Sequence, residues 1–340
     1  MEPFKISESV DRKQWLDARR TGLGGSDIGA VLGISPYRTP VDVYFDKIEG
    51  RDYQESEPAH WGKMLEELVA KEFQERTGMR VQRVNSILRK GEDGWMIANI
   101  DRAIVNPEIG KSVRVLPVKK QELTGRMLTT DCILECKTAS QYLADDWGPS
   151  QEDEIVAGEI ISQYKIPSHY EAQVQWYMAV TGAICAYVAV LIGGQDFRMY
   201  RIDRDDQLIE GIVSICREFW TEHILKQVPP DPNCMADVKR LFPRETGEML
   251  EASNDMAVAI GEYRNLSAQI KELTERKDGY ATQIAAAIGA AEGILIDGKK
   301  AATFKAVTTR RFDSTSFKKS DPLVWSQFLK ETTDRRLRIY

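Results

Sequence analysis

The sequence lacks the features of secreted and membrane-embedded proteins. It has only five cysteines among 340 residues, and their irregular spacing gives neither a disulfide framework nor a CxxC metal pattern. No apolar run approaches the ~20 residues that a membrane-spanning helix needs, and no signal peptide is evident at the start. We therefore expect free thiols in a reducing compartment, a cytoplasmic location and no membrane partner.

Positive charge is scarce over most of the chain. The net charge is −6, which weakly disfavours a polyanionic partner, because phosphate binding depends on Lys and Arg. Residues 291–340 nevertheless carry a local charge of +5, with 11 Lys and Arg against 6 Asp and Glu, which leaves −11 for residues 1–290. A nucleic-acid contact in the larger part must therefore be local, and metal ions held by carboxylates are one way to make it.

Apolar periodicity and turn residues predict alternating helices and strands in the first two thirds of the chain. Ser26 is the expected N-cap of a short helix, and Ser168 with Glu171 is the expected capping box of a later one. The predicted helices cover 11–20, 26–33, 39–49, 60–78, 166–182 and 205–226. The predicted strands lie within 80–84, 94–105, 131–138, 183–194 and 196–203, with an inserted hairpin or loop at 106–130.

The motif VPPDP predicts a linker, which divides the chain into a core at 1–228, a linker at 229–247 and a C-terminal region at 248–340. The C-terminal region begins with a helix of heptad-like apolar spacing and continues with an Asp297-Gly298 hairpin and a basic tail. The apolar positions of that helix are Met256, Ile260, Tyr263, Leu266, Ile270 and Leu273. Because this stripe is too apolar to face water, we expect it to pack on the hairpin. Basic residues of the extension would then face a polyanion or an acidic partner, namely Lys299, Lys300, Arg310 and Arg311.

The strand DCILECKT places Glu135 and Lys137 two residues apart, so that both side chains project from the same face. They are either an ion pair on a half-exposed sheet or part of an active site. Asp101 stands in a short apolar strand, where Asp is disfavoured, which makes it a candidate for the same site. The alternative is that Asp101 is a turn residue of a hairpin.

Two helices supply further candidates. On the helix after Trp61, an apolar stripe of Trp61, Leu65, Leu68 and Val69 leaves Glu66 at its rim and Glu67 facing away, although Glu72 also falls within the stripe. The alternative is that Glu66 is a carboxylate at the edge of the apolar stripe that pairs with a nearby Lys. On the helix at 166–182, Gln173 and Tyr177 share one face, whereas Gln175 points to the other side. The alternative is that Gln173 is a core residue whose amide makes all its hydrogen bonds within the protein.

Five short motifs occur in a fixed order along the chain, namely GGSD at 24–27, Glu66 in WGKMLEE, Asp101 in NIDRAIV, ECK at 135–137 and QVQWY at 173–177. This order resembles the phage lambda exonuclease and YqaJ-type phage recombinase nucleases, which belong to the restriction-endonuclease-like superfamily with its D…ExK core and later QxxxY. The resemblance covers about residues 10–225. It implies an α/β nuclease core, with a mixed central sheet flanked by helices, followed by the helical and β-hairpin extension.

The resemblance also implies a role for each candidate residue. Asp101 and Glu135 would bind a catalytic divalent ion together with the main-chain carbonyl of Cys136, and Glu66 would complete a second metal position. Lys137 would orient or deprotonate the attacking water, and Gln173 would help to place the water or the scissile phosphate. Because the segment after Asp101 is longer than in the shortest relatives, Asp131 remains a rival to Asp101. The DNA-contacting residues implied by WLDARRTGLGGS are Arg19 and Ser26 on a 5′ phosphate, with Trp15 and Arg20 nearby. Tyr177 of QVQWY is a further nearby contact that the resemblance implies.

The function that the resemblance implies is Mg²⁺-dependent degradation of one strand of duplex DNA from 5′ to 3′, with two ions per site and Mn²⁺ as a possible substitute. Carboxylates that hold Mg²⁺ suit phosphodiester cleavage, which needs a nucleophilic water and stabilisation of the leaving oxygen. The product would be a 3′ single strand for recombination by strand annealing.

The family further implies a ring-shaped homotrimer, a single-strand annealing protein as partner and a bacterial host cell, with a phage or mobile-element origin. Two alternatives stay open. One is a non-cleaving protein that binds DNA ends or a recombination partner, and the other is an endonuclease or iron–sulfur nuclease of the same superfamily.

Overall fold

The computed structural model describes residues 2–4, 12–50, 56–90, 94–105, 116–117, 126–127 and 130–340. The chain divides into two units, Met1–Leu241 and Phe242–Tyr340. The helix Met235–Leu241 lies within the segment predicted as a linker, and its Asp237 accepts a hydrogen bond from Thr39 of the first unit at 2.8 Å. The functional boundaries expected at 228 and 248 stay a prediction.

The first unit alternates helices and strands. Its helices are α1 (Arg12–Arg20), α2 (Gly25–Val31), α3 (Pro40–Ile48), α4 (Glu57–Thr77), α5 (Glu152–Ala157), α6 (Ser168–Thr181), α7 (Asp206–Glu218) and α8 (Met235–Leu241), with a 3₁₀ turn at Gln141–Asp146 and a π-helical continuation of α7 at Phe219–Leu225. Its strands are β1 (Glu2–Phe4), β2 (Val81–Arg83), β3 (Ile87–Lys90), β4 (Met96–Ala98), β5 (Arg102–Ile104), β6 (Leu116–Pro117), β7 (Arg126–Met127), β8 (Cys132–Ala139), β9 (Cys185–Ile192) and β10 (Asp196–Asp203).

Five strands form the central sheet in the order β10-β9-β8-β5-β2. The β8–β9 pair is parallel, and the other neighbouring pairs are antiparallel, so the sheet is mixed. A smaller sheet has the order β1-β3-β4. Most of the segment expected as an insertion at 106–130 lies outside the described residues, although its two described pieces, β6 and β7, pair antiparallel.

Helices cover both faces of the central sheet. On one face, the buried residues Val69 and Phe73 of α4 pack with Leu134 of β8 and Tyr187 of β9. On the other face lies α6, whose residues from Ala172 to Thr181 are all buried. Because β9 is covered on both sides, its sequence is an almost continuous apolar run. The expected fold class, a mixed sheet flanked by helices, is confirmed.

Local predictions at three helices were wrong in detail. The N-cap of α2 is Gly24, whose N–H donates to the side chain of Asp27 at 3.0 Å, so Ser26 lies inside the first turn. Helix α6 begins after Pro167 with no side-chain cap, because Glu171 accepts instead from the hydroxyl of Tyr164 at 2.6 Å. On α4 the predicted apolar stripe is shifted, since its buried residues are Val69, Ala70 and Phe73, whereas Trp61 and Leu68 are exposed.

The prediction that all cysteines are free thiols was also wrong. Cys132 and Cys185 form a disulfide, with a Cα–Cα distance of 4.8 Å. They are direct partners in the parallel β8–β9 pair, and that pairing brings their Cα atoms within the range that a disulfide requires. Sequence spacing could not reveal this pair, because the two residues are 53 positions apart.

The second unit consists of a long helix, a hairpin and two short helices. Its elements are α9 (Asn254–Ile288), β11 (Gly293–Ile296), β12 (Lys299–Thr303), α10 (Ser314–Ser320) and α11 (Pro322–Gln327). The predicted hairpin is confirmed, with Asp297 and Gly298 in left-handed conformations at its turn. The predicted packing of the α9 stripe on that hairpin is wrong, because the stripe is exposed. No helix in the described ranges is long and apolar enough to cross a membrane.

Candidate active site

The site forms where two strands of the central sheet separate. The antiparallel pairing of β5 with β8 ends at Arg102 and Leu134. Asp101 stands directly before β5, and its Oδ2 accepts a hydrogen bond of 2.8 Å from the main-chain N–H of Cys136. Since the N–H and C=O of one strand residue point to the same side, the carbonyl of Cys136 also faces Asp101. The strand edge thus supplies one carboxylate and one main-chain oxygen.

Glu135 and Lys137 project from β8 towards α6. Lys137 Nζ lies 2.7 Å from Glu135 Oε1 and 3.2 Å from Gln173 Oε1. Gln173 Nε2 donates to Glu135 Oε1 at 2.6 Å and to the Tyr177 hydroxyl at 2.9 Å. The Lys137 ammonium also lies 4.7 Å from the centre of the Tyr170 ring. Glu135 is only 4% exposed and the side chain of Lys137 is 16% exposed, so the two charges form a largely buried pair and not the surface pair considered as the alternative.

Negative charge is crowded at this point. Burial raises the pKa of the Asp101 carboxyl well above its ordinary value, and the charges of Glu135 and Glu66 raise it further. Burial likewise raises the pKa of Glu135 against the opposing attraction of Lys137. Burial lowers the pKa of the Lys137 ammonium, but the nearby Glu135, Tyr170 and Asp101 together outweigh this effect, and the net pKa lies above the ordinary value. Carboxylates held this close favour a bound cation.

The donor set fits a divalent cation. Glu135 Oε2 is buried and has no hydrogen-bond partner among the described residues. A buried carboxylate oxygen without a partner destabilises the fold unless a ligand binds to it. No three His, Cys, Asp or Glu side chains in the described part of the chain form a ready metal cage. An open set of two carboxylates and a carbonyl suits Mg²⁺, which keeps several waters and binds through one or two carboxylates. Asp101, Glu135 and the Cys136 carbonyl are the residues that would hold it.

Arg102 links Glu66 to this cluster. Its Nη1 donates to Glu66 Oε1 at 2.5 Å and to the main-chain carbonyl of Asp101 at 2.8 Å. Its Nη2 binds Glu67 at 2.7 Å. Glu66 is therefore paired with an arginine from the sheet, while the side chain of Glu67 is 71% exposed, as expected for a residue that faces away from the site.

The two rival carboxylates lie elsewhere. Glu72 pairs with Arg76 on the surface of α4 at 2.7 Å. Asp131 is exposed at the start of β8, where its carbonyl accepts from the N–H of Ile184. Four residues of strand, or ~13 Å, separate it from Glu135. The structure brings Asp101 and Glu66 to Glu135, and it does not bring Asp131 or Glu72.

Helices α1 and α2 bring the expected phosphate-binding residues together. Arg19 Nη2 donates to Ser26 Oγ at 2.7 Å, and its guanidinium lies 4.8 Å from the centre of the Trp15 ring. Arg20 is directed differently, because its Nη2 donates to the carbonyl of Ile48 at the end of α3 at 2.8 Å. Arg19, Ser26 and Trp15 therefore form one surface, whereas Arg20 binds the neighbouring helix.

Gly25 explains the GGSD motif. A Cβ at this position would lie 2.3 Å from the ring of Tyr177 and 3.0 Å from Gln173 Cγ. Only glycine allows α2 to approach α6 so closely. This contact places Ser26 beside the residues that bind Glu135.

A buried charge network lies under this surface. Asp27 accepts from Lys47 Nζ at 2.7 Å and from Arg38 Nη1 at 3.1 Å, and Lys47 also donates to the carbonyl of Arg19 at 3.1 Å. Burial raises the pKa of Asp27, but the charges of Lys47, Arg38 and Arg19 outweigh it and hold the pKa well below its usual range. The network fixes the backbone that carries Arg19.

An open cavity of about 200 Å³ adjoins the carboxylates. It runs from Trp15 to Glu66 and Asp101 and has both cationic and amide groups in its wall. The lining residues are Trp15, Lys63, Glu66, Arg83, Val84, Asn85, Ser86, Asn99, Ile100 and Asp101.

The sequence interpretation missed Arg102 and the Asp27 network. An arginine directly after Asp101 in a short apolar strand was a usable signal, because charged residues are rarely buried unless paired. The aspartate of GGSD gave no comparable signal, since Asp near a helix start is an ordinary cap. Its partner Lys47 lies 20 residues further along the chain.

The family model for the YqaJ-like viral recombinase domain matches residues 14–184 of the chain. The chain is also similar to the uncharacterized protein YqaJ of Bacillus subtilis (strain 168), with 34% identity over 347 aligned residues that cover 99% of this chain and 97% of that protein.

Two solved structures of LHK-Exo are similar to the chain at 17% identity and a TM-score of 0.44. The complex of LHK-Exo with dAMP covers 67% of this chain and 97% of its own. The alkaline exonuclease LHK-Exo from Laribacter hongkongensis covers 64% of this chain and 94% of its own. Similarity at this level does not extend to activity.

Proposed function

The chain belongs to the YqaJ-like viral recombinase family, and on that premise we propose that it is a metal-dependent exodeoxyribonuclease that degrades one strand of duplex DNA from its 5′ end. The observation that carries this proposal is the buried cluster of Asp101, Glu135 and Lys137, in which Glu135 Oε2 lacks a hydrogen-bond partner among the described residues. A structural ion pair alone does not require a second, unsatisfied carboxylate oxygen or a neighbouring carboxyl.

The residues of the cluster have distinct tasks in this proposal. A bound Mg²⁺ would supply a more acidic water and would stabilise charge on the phosphate oxygens, and Mn²⁺ could replace it. Asp101 and Glu135 would hold the ion with the Cys136 carbonyl, and Glu66 would serve a second ion. Gln173 fixes the Glu135 carboxylate through Nε2, at 2.6 Å. Lys137 presents a fixed positive charge to the attacking water and the scissile phosphate.

Strand-end recognition is assigned to Arg19 and Ser26. The Arg19 guanidinium and the Ser26 hydroxyl are already in contact at 2.7 Å, and a guanidinium can bind a terminal phosphate through two parallel hydrogen bonds. Trp15 adds an aromatic surface beside Arg19, on which a terminal base can stack. Tyr177 supports this surface from below through its contact with Gly25.

Membership of the family suggests a biological setting. We propose that the product is a 3′ single strand, that a single-strand annealing protein receives it, and that three copies of the first unit form a ring around the duplex. Light scattering of residues 1–241 tests the ring, provided that this fragment proves to be folded. A mass other than three protomers would remove the ring from the proposal.

The central experiment is digestion of linear duplex DNA labelled at either the 5′ or the 3′ end. In Mg²⁺ the full chain should release the 5′ label first as a mononucleotide and leave a long 3′-labelled strand, and chelation should stop the reaction. Glu135→Gln should bind duplex ends without cutting. Loss of the 3′ label first would reverse the polarity, cuts in covalently closed circles would indicate an endonuclease, and no cleavage with retained end binding would favour the non-cleaving alternative.

A second comparison tests the end site. Arg19→Ala should reduce the preference for 5′-phosphorylated over 5′-hydroxyl duplex by ~10-fold or more, because a charge-assisted hydrogen bond contributes ~1.5–3 kcal/mol. Arg20→Ala is the matched control, since Arg20 binds the end of α3. If both variants lose the preference for a 5′ phosphate equally, the phosphate is bound by the positive charge of this region as a whole and not by Arg19 in particular.

A further inference from the structure

Helix α9 exposes an apolar stripe along its whole length. It runs for 35 residues from Asn254 to Ile288, or ~52 Å at ~1.5 Å per residue. Large apolar side chains repeat along one side of it and are each about half exposed or more, namely Met256, Tyr263, Leu266, Ile270, Leu273, Tyr280 and Ile284. A continuous apolar strip of this length marks an interaction surface.

The stripe follows a heptad. Apolar residues fill nine of the ten a and d positions over five heptads, and Lys277 is the exception; this spacing sustains the period that a left-handed coiled coil requires. The a positions are Met256, Tyr263, Ile270, Lys277 and Ile284, and the d positions are Ala259, Leu266, Leu273, Tyr280 and Ala287. The e positions Ile260, Ser267, Thr274 and Ala281 carry no charge. The seam is therefore compatible with an identical helix along its whole length.

Charge selects the direction of that second helix. In a parallel pair in register, Lys277 at position a would face its own copy, and like charges would repel. In an antiparallel pair centred on Ile270 and Leu273, Lys277 faces Leu266 of the second copy. Glu262 lies one turn from Leu266, or ~6 Å along the axis, within reach of the Lys277 ammonium. The antiparallel pairing thus converts a repulsion into an attraction at two equivalent places.

We propose that α9 is a homodimerisation element, in which two copies of the chain pair antiparallel through the a and d positions from Met256 to Ala287. A two-helix contact ~50 Å long buries on the order of 1,500 Å² in total, which is within the range of stable specific interfaces. The symmetry is two-fold, so the same surface serves both copies and the helix pair closes on itself. This pairing does not depend on nuclease activity.

The mass of the full chain in solution tests the pairing. Ile270→Glu with Leu273→Glu places four acidic groups at the centre of the antiparallel seam and should prevent pairing, whereas both residues are exposed in the single chain, so folding should be unaffected. Asn265→Glu with Ala268→Glu adds the same charge on the opposite side of α9. Light scattering should give the wild type and this control at least twice the mass of the seam variant, whatever assembly the first unit forms by itself.

Disulfide trapping tests the direction. In a Cys234→Ser background, which removes an exposed thiol, differently tagged chains carrying Leu266→Cys and Lys277→Cys should cross-link to each other when mixed and oxidised. Neither variant should cross-link with itself, since equivalent positions face each other only in a parallel pair. Equal masses for the wild type and the seam variant would overturn the proposal, and so would cross-linking of Leu266→Cys to itself.

Discussion

The two units of this chain differ in what they bury. The first unit encloses charged groups, with Arg102, Asp27 and Glu135 at 2%, 3% and 4% exposure. The second unit leaves large apolar groups in water, with Ile270 at 64% and Leu273 at 59% exposure. A buried charge is costly unless it is paired, and an exposed apolar stripe is costly unless it is covered. Each departure from the ordinary arrangement therefore indicates a function.

The departures lead to different kinds of function. In the first unit, Glu135 Oε2 is a buried oxygen without a hydrogen-bond partner among the described residues, and it indicates where a small cation would bind. In the second unit the uncovered surface extends over several turns of α9 and is apolar, which indicates a macromolecular partner. A change at a buried charge should therefore have large effects on chemistry or stability, whereas a change at an exposed charge of the second unit should have small ones.

The largest effect is expected at Lys137. Lys137→Met keeps the length of the side chain and removes the fixed charge, so the rate of cleavage should fall by ~10²–10³-fold, as for the loss of one preorganised electrostatic group. Single-turnover digestion of duplex DNA measures the rate, and circular dichroism checks the fold. Lys71→Met on the surface of α4, where the side chain is 67% exposed, should leave the rate unchanged. If the Lys137→Met protein is folded and cleaves DNA at the wild-type rate, Glu135 and Lys137 form a structural ion pair and not part of an active site.

A large effect on stability is expected at Asp27. Asp27→Asn leaves the Lys47 ammonium, which is 5% exposed, without its charged partner, and breaking a buried pair in this way costs ~3–5 kcal/mol. Asp206→Asn breaks the surface pair with Arg204, in which the carboxylate is 80% exposed, and should cost ~0–1 kcal/mol. Urea unfolding at neutral pH measures both. Similar losses in the two variants would mean that burial of this network contributes no special stability.

The same network has a pH signature. The charges around Asp27 hold its pKa in the folded protein below the unfolded value, which is ~3.9. A depressed carboxyl pKa stabilises the fold above the unfolded pKa, and the contribution is lost as pH falls towards the folded pKa. The stability difference between wild type and Asp27→Asn should therefore be constant from pH 7 to about pH 5 and should narrow below about pH 4. A difference that instead grew with acidification would contradict the assignment.

An intermediate effect is expected at Arg102. Arg102→Gln removes donors from Glu66 and from the Asp101 carbonyl, and groups that orient metal ligands typically contribute 10- to 100-fold, or ~1.4–2.7 kcal/mol, to metal affinity. The Mg²⁺ concentration for half-maximal cleavage should rise by about that factor. Glu67→Gln is the control, because it changes only the exposed partner of Arg102. An unchanged Mg²⁺ requirement in Arg102→Gln would show that Glu66 needs no such support.

Sequence reasoning succeeded where the pattern reports a local property. The strand at Cys132–Ala139 and the face shared by Glu135 and Lys137 follow from a period of two, and the choice of Gln173 over Gln175 follows from helical spacing. Gln175 indeed points away and donates to the carbonyl of Asp203 at 2.9 Å. Periodicity could not distinguish Asp101 from Asp131 as the proposed metal ligand, because that choice depends on where β5 stops pairing with β8.

Three failures at helices have a common physical cause, which is competition from a partner outside the helix. Ser26 was expected to cap α2, but Arg19 occupies its hydroxyl. Glu171 was expected to complete a capping box, but the hydroxyl of Tyr164 reaches it first. Trp61 and Leu68 were expected to be buried on α4, yet the sheet contacts the helix through Val69 and Phe73 instead. Local sequence preferences favour these contacts, but tertiary packing determines which of them form.

The smallest effect is expected in the basic hairpin of the second unit. Lys299 and Lys300 are exposed on β12, so their removal should leave stability within ~0.5 kcal/mol of the wild type. If both contact DNA phosphates, Lys299→Ala with Lys300→Ala should weaken duplex binding uniformly across sequences and lower the slope of log affinity against log salt by ~1.8, since each released counterion contributes ~0.9. Lys318→Ala with Lys319→Ala removes the same charge from α10, and fluorescence anisotropy over a salt series compares the two variants. If the slope is unchanged in the hairpin variant, the hairpin does not contact DNA, and the second unit serves assembly alone. If the slope decreases equally in both variants, the total positive charge of the second unit attracts DNA, and the hairpin has no special role.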